Sequence, residues 1–206
     1  MAVVSSSRSG RLAAAGLALA AGFADAYNYF HWHAFAANMT GNTVIFAISL
    51  YQGPRPALLP LTLIACFVAG SFIGRLVVDR FPVVAALLIE ALVLAAAAFA
   101  GTHGYAPVAF AMGIQSIAIT SFAGVAANTS FLSGDYSRLG AALGDLVNPR
   151  TRREETWRNI SVFVPLLLAY AAGALLAAYC KTLPYEILLV VPIVLTVACI
   201  KVDPAP

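Results

Sequence analysis

The sequence predicts an all-α integral membrane protein: six transmembrane helices arranged as two inverted three-helix repeats, each with a broken or half-helix after its first span. Three observations predict it. Of the 206 residues, 61% are hydrophobic and 10% charged, with a mean hydropathy of +0.87, whereas a soluble domain carries roughly 25% charge. Six stretches approach the ~20 mostly apolar residues that a spanning helix needs. Finally, the order of polar and small-residue motifs in the first half recurs in the second.

The first span covers residues 12–30, behind Arg8 and Arg11. A basic start before an Ala/Leu run also suits a signal peptide, but apolar sequence continues and a polar motif belongs to this helix, so it is read as a span. Next come Asn38-Met39-Thr40-Gly41-Asn42-Thr43 and a stretch, 41–51, that is helical in pattern but too short to cross. Spans at 57–78 and 82–100 complete the first repeat, 12–100. The second repeat, 107–200, opens with a span at 107–127 that ends in Asn128-Thr129-Ser130-Phe131-Leu132-Ser133-Gly134-Asp135. The short stretch 137–147 and spans at 162–179 and 184–200 follow, all within one membrane domain, 1–206. Gly41 matches Gly134, and the small-residue pair Gly70 and Gly74 matches Gly173 and Ala177. Three spans is an odd number, so the second copy sits upside down relative to the first.

Orientation follows from charge. With the N-terminus cytoplasmic, Arg8, Arg11, Arg75, Arg80, Arg138, Arg150, Arg152, Arg153, Arg158 and Lys201 lie inside and only Arg55 and Lys181 outside, ten of twelve cations. The expectation is a multi-pass protein of the cell inner (plasma) membrane with both termini cytoplasmic. The net charge of +3 is small and its arginines flank apolar runs, which fits lipid contact and topogenesis and sets nucleic acid aside. Cys66, Cys180 and Cys199 lie in or beside apolar runs as small hydrophobes, so no disulfide frame is implied, and no metal or cofactor is expected.

The run Gly22-Phe23-Ala24-Asp25-Ala26-Tyr27, then Phe35, then Asn38-Met39-Thr40-Gly41-Asn42, and later Ala111-Met112-Gly113-Ile114-Gln115-Ser116, resembles the YoaK-type family of bacterial membrane proteins, whose function is unknown. The resemblance covers nearly the whole chain and implies a six-span inner-membrane protein of a kind labelled permease, with no substrate attached. Ser133-Gly134-Asp135 departs from the family's Thr-Gly form.

Each candidate residue has a functional and a structural reading. Asp25 lies inside the first span, where a carboxylate is costly unless it pairs, faces water or carries a proton; it marks a polar cavity or bonds a neighbouring helix. Glu90, near the middle of the third span, poses the same question without a motif around it. Asn38, Thr40, Gly41 and Asn42 place amides and a hydroxyl on a turn, to coordinate a solute or to cap the short helix; Asn128, Ser133, Gly134 and Asp135 are the second copy. Gln115 must find partners across helices, as glue or as a cavity group. His31 and His33 flank Trp32 and fit an aromatic interfacial belt better than a metal pair.

These residues suggest a secondary transporter or permease for a small polar solute or ion, with the site at the broken helices near the membrane middle. A homodimer is an option by analogy with carriers built from two six-helix halves. The alternatives are a non-transporting scaffold or assembly protein, and third an intramembrane enzyme using Asp25 and Glu90. No nucleotide loop, nucleophile set or metal set accompanies those acids, so an enzyme is not expected.

Overall fold

The computed structural model describes residues 3–4, 8–97, 99–122, 125–130, 132–147, 152–182, 190, 193–194 and 197–198. Within them run seven helices: α1 (Arg8–Trp32), α2 (Met39–Gln52), α3 (Pro54–Val78), α4 (Val83–Ala97), α5 (Tyr105–Ala118), α6 (Ser133–Val147) and α7 (Arg153–Cys180). Three two-residue strands, β1 (Val3–Val4), β2 (Ser121–Phe122) and β3 (Val125–Ala126), form a small sheet in which β2 pairs parallel to β1 and antiparallel to β3. Hydropathy gave no sign of it.

The helix ends follow local chemistry. The first span continues to Trp32 and stops where His33 adopts a positive φ of 53°. Gly53, at φ 133°, is the single residue between α2 and α3 and takes a backbone that favours glycine, while Pro54 and Pro56 enter α3 in its first turn, where a missing N–H costs nothing. The fifth predicted span gains an N-terminal extension through Arg153, with Glu154 and Glu155 placed favourably for the helix dipole.

The fourth span is shorter than predicted. Instead of running to 127, α5 ends at Ala118, and Ile119 is extended (φ −133°, ψ 115°). Competition for its last carbonyls explains the stop. Ser71 Oγ (3.2 Å) and Ser116 Oγ (2.7 Å) both donate to the Gly113 carbonyl, and the Asn128 side chain reaches the Ser116 carbonyl at 3.4 Å. The predicted sixth span, 184–200, lies largely outside the described residues; Val190, Ile193 and Val197 of it pack in the main core.

Two helix pairs form the centre. Helix α1 packs on α7 and α3 on α5; the half-helices α2 and α6 lie on α3 and α7, and α4 lies on α5. Glycine makes both central crossings possible. A Cβ on Gly22 would strike the Tyr170 carbonyl and one on Gly173 the Leu19 carbonyl; likewise Gly70 abuts the Phe110 carbonyl and Gly113 the Phe67 carbonyl. Such backbone-to-backbone approach yields dispersion contact that no larger residue allows. Gly70 meeting Phe110 while Gly74 meets Ile114 shows that α3 and α5 run parallel.

The exterior is apolar and the interior carries the polar groups. Helices α3 and α7 are long and apolar enough to cross a bilayer, and only 33% of the apolar window of each is buried, unlike the core helix of a soluble protein. Phe72 and Leu168 face outward, whereas Asp25, Asn28, Asn42, Glu90, Gln115, Thr129 and Ser130 are buried. That inversion suits a lipid solvent.

The crossings can be tested by substitution. Gly22→Val and Gly113→Val are expected to destabilise the protein by about 1–3 kcal/mol or more, read by thermal unfolding in detergent. Gly140→Ala and Gly144→Ala, where an added Cβ meets nothing within 4 Å, are expected to hold or raise the midpoint because alanine is the better helix former.

Candidate functional site

The site grows from the break between α1 and α2. Residues 33–38 leave the helical path, which exposes backbone groups inside the bundle. Asp25, 3% exposed on α1, turns its carboxylate to this segment: Oδ1 accepts from the Ala37 N–H at 2.6 Å and the Asn38 N–H at 3.2 Å. Its Oδ2 accepts a hydrogen bond from the Tyr170 hydroxyl of α7. One acid therefore ties α1, the broken segment and α7 together.

Asn38 caps α2, its Oδ1 accepting from the Gly41 N–H at 3.0 Å. The motif from 38 to 43 is thus the start of the short helix, and the break itself lies just before it. Gly41 lets the Phe35 ring sit close, since a Cβ there would approach the ring at 2.8 Å. Asn42 is buried and locks the break by a reciprocal pair: its Oδ1 accepts from the Phe35 N–H (2.8 Å) and its Nδ2 donates to the Phe35 carbonyl (2.7 Å). Thr40 is exposed in the first turn of α2.

The second break is built alike. Asp135, buried in the first turn of α6, accepts at Oδ2 from the N–H of Asn128, seven residues back as Phe35 is from Asn42. Its Oδ1 meets Arg138 at 3.2 Å, and Arg138 also donates to the Ala126 carbonyl. Asn128 Oδ1 receives the Ser130 N–H at 2.8 Å. Gly134 is exposed, with open space above it. Asp25 and Asp135 each put a carboxylate at the N-terminal end of a half-helix, where it favours the dipole.

The two breaks meet at one cavity of about 210 Å³, lined by Asn38 from the first, by Leu132, Ser133 and Tyr136 from the second, and by Tyr170. Asp25 stands behind Tyr170, joined to the cavity through that hydroxyl and through Asn38. Two other candidates lie elsewhere. Gln115 binds the interior together, donating to the Leu17 carbonyl (3.2 Å) and Thr129 Oγ1 (2.8 Å). Glu90, fully buried on α4, has no hydrogen-bond partner among the described residues at either carboxylate oxygen and does not line this cavity.

Tyr170 and Tyr136 were not found from sequence. Their signals were faint: Tyr170 is a phenol in an otherwise apolar stretch three residues before Gly173, and Tyr136 follows Gly134 by two. Among the described residues no group of three or more His, Cys, Asp or Glu could hold a metal.

A family model for a protein of unknown function (DUF1275) matches residues 13–201. The chain belongs to this family. It is 26% identical over 196 residues, 87% of each chain, to the UPF0700 transmembrane protein YoaK of Bacillus subtilis (strain 168). No solved structure matches. With two helices able to cross a bilayer and polar groups turned inward, the family relationship supports a membrane protein.

The locks predict a contrast. Asp25→Ala strands the buried Ala37 N–H, the part-buried Asn38 N–H and the Tyr170 hydroxyl, and Asn42→Ala the part-buried N–H and C=O of Phe35; each is expected to cost about 1–3 kcal/mol. Asp25→Asn, which keeps an acceptor for the Ala37 N–H and shape for Tyr170, is expected to unfold close to wild type in the same detergent melt. Glu90→Leu is expected to hold or raise the midpoint, because it removes a buried acid without partners among the described residues; a clear fall would sink that account of Glu90.

Proposed function

We propose that this chain is a small secondary transporter or permease for a small polar solute, and not an enzyme. The observation that carries the reading is the cavity shared by the two broken helices, with Asn38, Ser133, Tyr136 and Tyr170 offering amide and hydroxyl groups to one space. Interrupted helices at corresponding positions of two halves are where carriers of this plan bind substrate. In this reading Asn38 and Ser133 touch solute, Tyr170 sits between solute and Asp25, and Asp25 is the buried acid that a proton reaches through the phenol.

The reading includes six spans in two inverted halves, 12–100 and 107–200. What supports it is the pairing of contacts: α1 on α7 corresponds to α5 on α3, and α2 on α3 to α6 on α7. The four crossing glycines correspond too, Gly22 with Gly113 and Gly70 with Gly173, as do the locks of Asn42 and Asp135. The reading places the protein in the inner membrane with both termini cytoplasmic. A reporter fused after Pro206 is expected to signal cytoplasm and one inserted at Gly104 the outside; the reverse at Gly104 overturns the topology.

One observation favours the scaffold reading: both Asp25 oxygens are bonded within the protein, which suffices for a packing role. The two readings separate in a thermal-shift screen of the purified protein against small ions and metabolites. A ligand at a hundredfold its Kd is expected to stabilise by about 2.7 kcal/mol, and Ser133→Leu or Tyr136→Trp, which crowd the cavity, to abolish the shift without unfolding the protein. In liposomes Asp25→Asn is expected to remove proton-coupled flux of that ligand. A panel that yields no shift and no flux, with cavity variants as stable as wild type, leaves the scaffold.

A further inference from the structure

Helix α4 buries one face, on which Glu90 sits among Ala86, Leu87, Ala91 and Leu94 at helical spacing. Glu90 is 0% exposed, and neither of its carboxylate oxygens has a hydrogen-bond partner among the described residues. It has no counter-charge among them either. The helices packed on α4 are α5 and α3; their ionisable side chains are Tyr105, the first residue of α5, and Arg55, Cys66 and Arg75 of α3. Arg55 and Arg75 are exposed, and Arg75 is paired with Asp79 at 2.7 Å. Glu90 stands midway along the 15 residues of α4, so at ~1.5 Å per residue it lies about 10 Å from either end of the helix. Both ends are open to the surroundings, since Arg80 and Phe81 before α4 and Phe99 and Gly101 after it are exposed.

An ionised carboxylate in that place has nothing to offset its loss of water, whereas a protonated carboxyl has no net charge to desolvate. We propose that Glu90 is a proton-binding site: in this conformation its carboxyl carries a proton, which it exchanges with water at the ends of α4. The surroundings decide the occupant. A solute needs a cavity, and Glu90 lines neither the cavity of the two breaks nor the others of about 370 and 310 Å³. A hard metal cation such as calcium takes about six or more oxygen ligands, and among the described residues no group of three or more His, Cys, Asp or Glu stands together. A proton needs one oxygen and no cavity. Packing does not account for the acid, because a leucine would fill this apolar face and leave no polar atom unbonded; intramembrane acids are the groups from which proton relays are built. Asp25 is a different case, its oxygens already taken by the Ala37 and Asn38 N–H groups and the Tyr170 hydroxyl. The inference does not rest on solute transport: a chain with no solute in its cavity can still bind a proton at Glu90, and the two readings fail separately.

The test uses the full-length protein in liposomes near neutral pH and reads the infrared C=O stretch of a protonated carboxyl, which a carboxylate lacks. Wild type is expected to show this band, Asp25→Asn to keep it and Glu90→Gln to lose it. In heavy water the band is expected to move to lower frequency as a deuteron replaces the proton. A second measurement needs no variant: dicyclohexylcarbodiimide, an apolar reagent, is added to wild type and the modified peptides are mapped by mass spectrometry. The carboxyl proton passes to a carbodiimide nitrogen and the carboxyl oxygen adds to the central carbon, so the peptide that carries Glu90 is expected to gain the mass of the whole reagent. A wild type with neither the band nor the label holds an ionised Glu90 and overturns the proposal. A band assigned to Glu90 that stays unshifted in heavy water overturns it too, because the acid is then sealed from water and serves packing alone.

Discussion

The Asp25 carboxylate is the interaction on which the arrangement of the bundle's centre depends. A helix that begins inside a membrane bundle leaves its first N–H groups with no water to bond, and each such group is expensive. Asp25 takes up two of them, at Ala37 and Asn38, and a third donor from Tyr170. The acid is costly in that place and so are the stranded donors; together they satisfy one another. The geometry then propagates. Asn38 is fixed as the cap of α2, Tyr170 is fixed against α1, and the Tyr170 backbone lies where Gly22 leaves room for it. Two of the cavity's lining residues, Asn38 and Tyr170, are thus held in place by the same carboxylate.

Side-chain locks on broken helices also show how one structural task admits two chemistries. In the first half an amide performs it, with Asn42 both donating to and accepting from Phe35. In the second half a carboxylate stands in the matching place, able only to accept, and Arg138 neutralises its other oxygen. The exchange of amide for acid is accompanied here by a cation, Arg138, on the same helix face three residues on.

What was legible in the sequence was what a local pattern carries. Two apolar runs became α3 and α7, Asn38 and Gly41 marked the start of a half-helix, and Asp25 stood out as an acid among alanines. The crossing glycines Gly70 and Gly173 were recognised as packing residues, but not their partners Gly113 and Gly22, which sit in runs where small residues are common. The early end of α5 was hidden because it depends on Ser71, Ser116 and Asn128 competing for carbonyls, a tertiary effect that overrides hydropathy. Tyr170 was hidden for the plainest reason: its bond to Asp25 joins residues 145 apart in the chain, and nothing local announces it.

Helices α4 and α5 have 15 and 14 residues. At ~1.5 Å per residue each reaches only about 20 Å, well short of the ~30 Å hydrocarbon core of a typical bilayer. Paired side by side, they make a thin septum beside two much longer helices. On α4 the exposed Leu88 and Leu92 face outward, so lipid at that face would meet a helix shorter than its own hydrocarbon, a mismatch that costs fractions of a kcal/mol per Å. A membrane voltage falls across whatever insulating thickness remains, so the electric field is steepest where the septum is thinnest, and a charge crossing there would traverse most of the potential over about two-thirds of the ordinary distance.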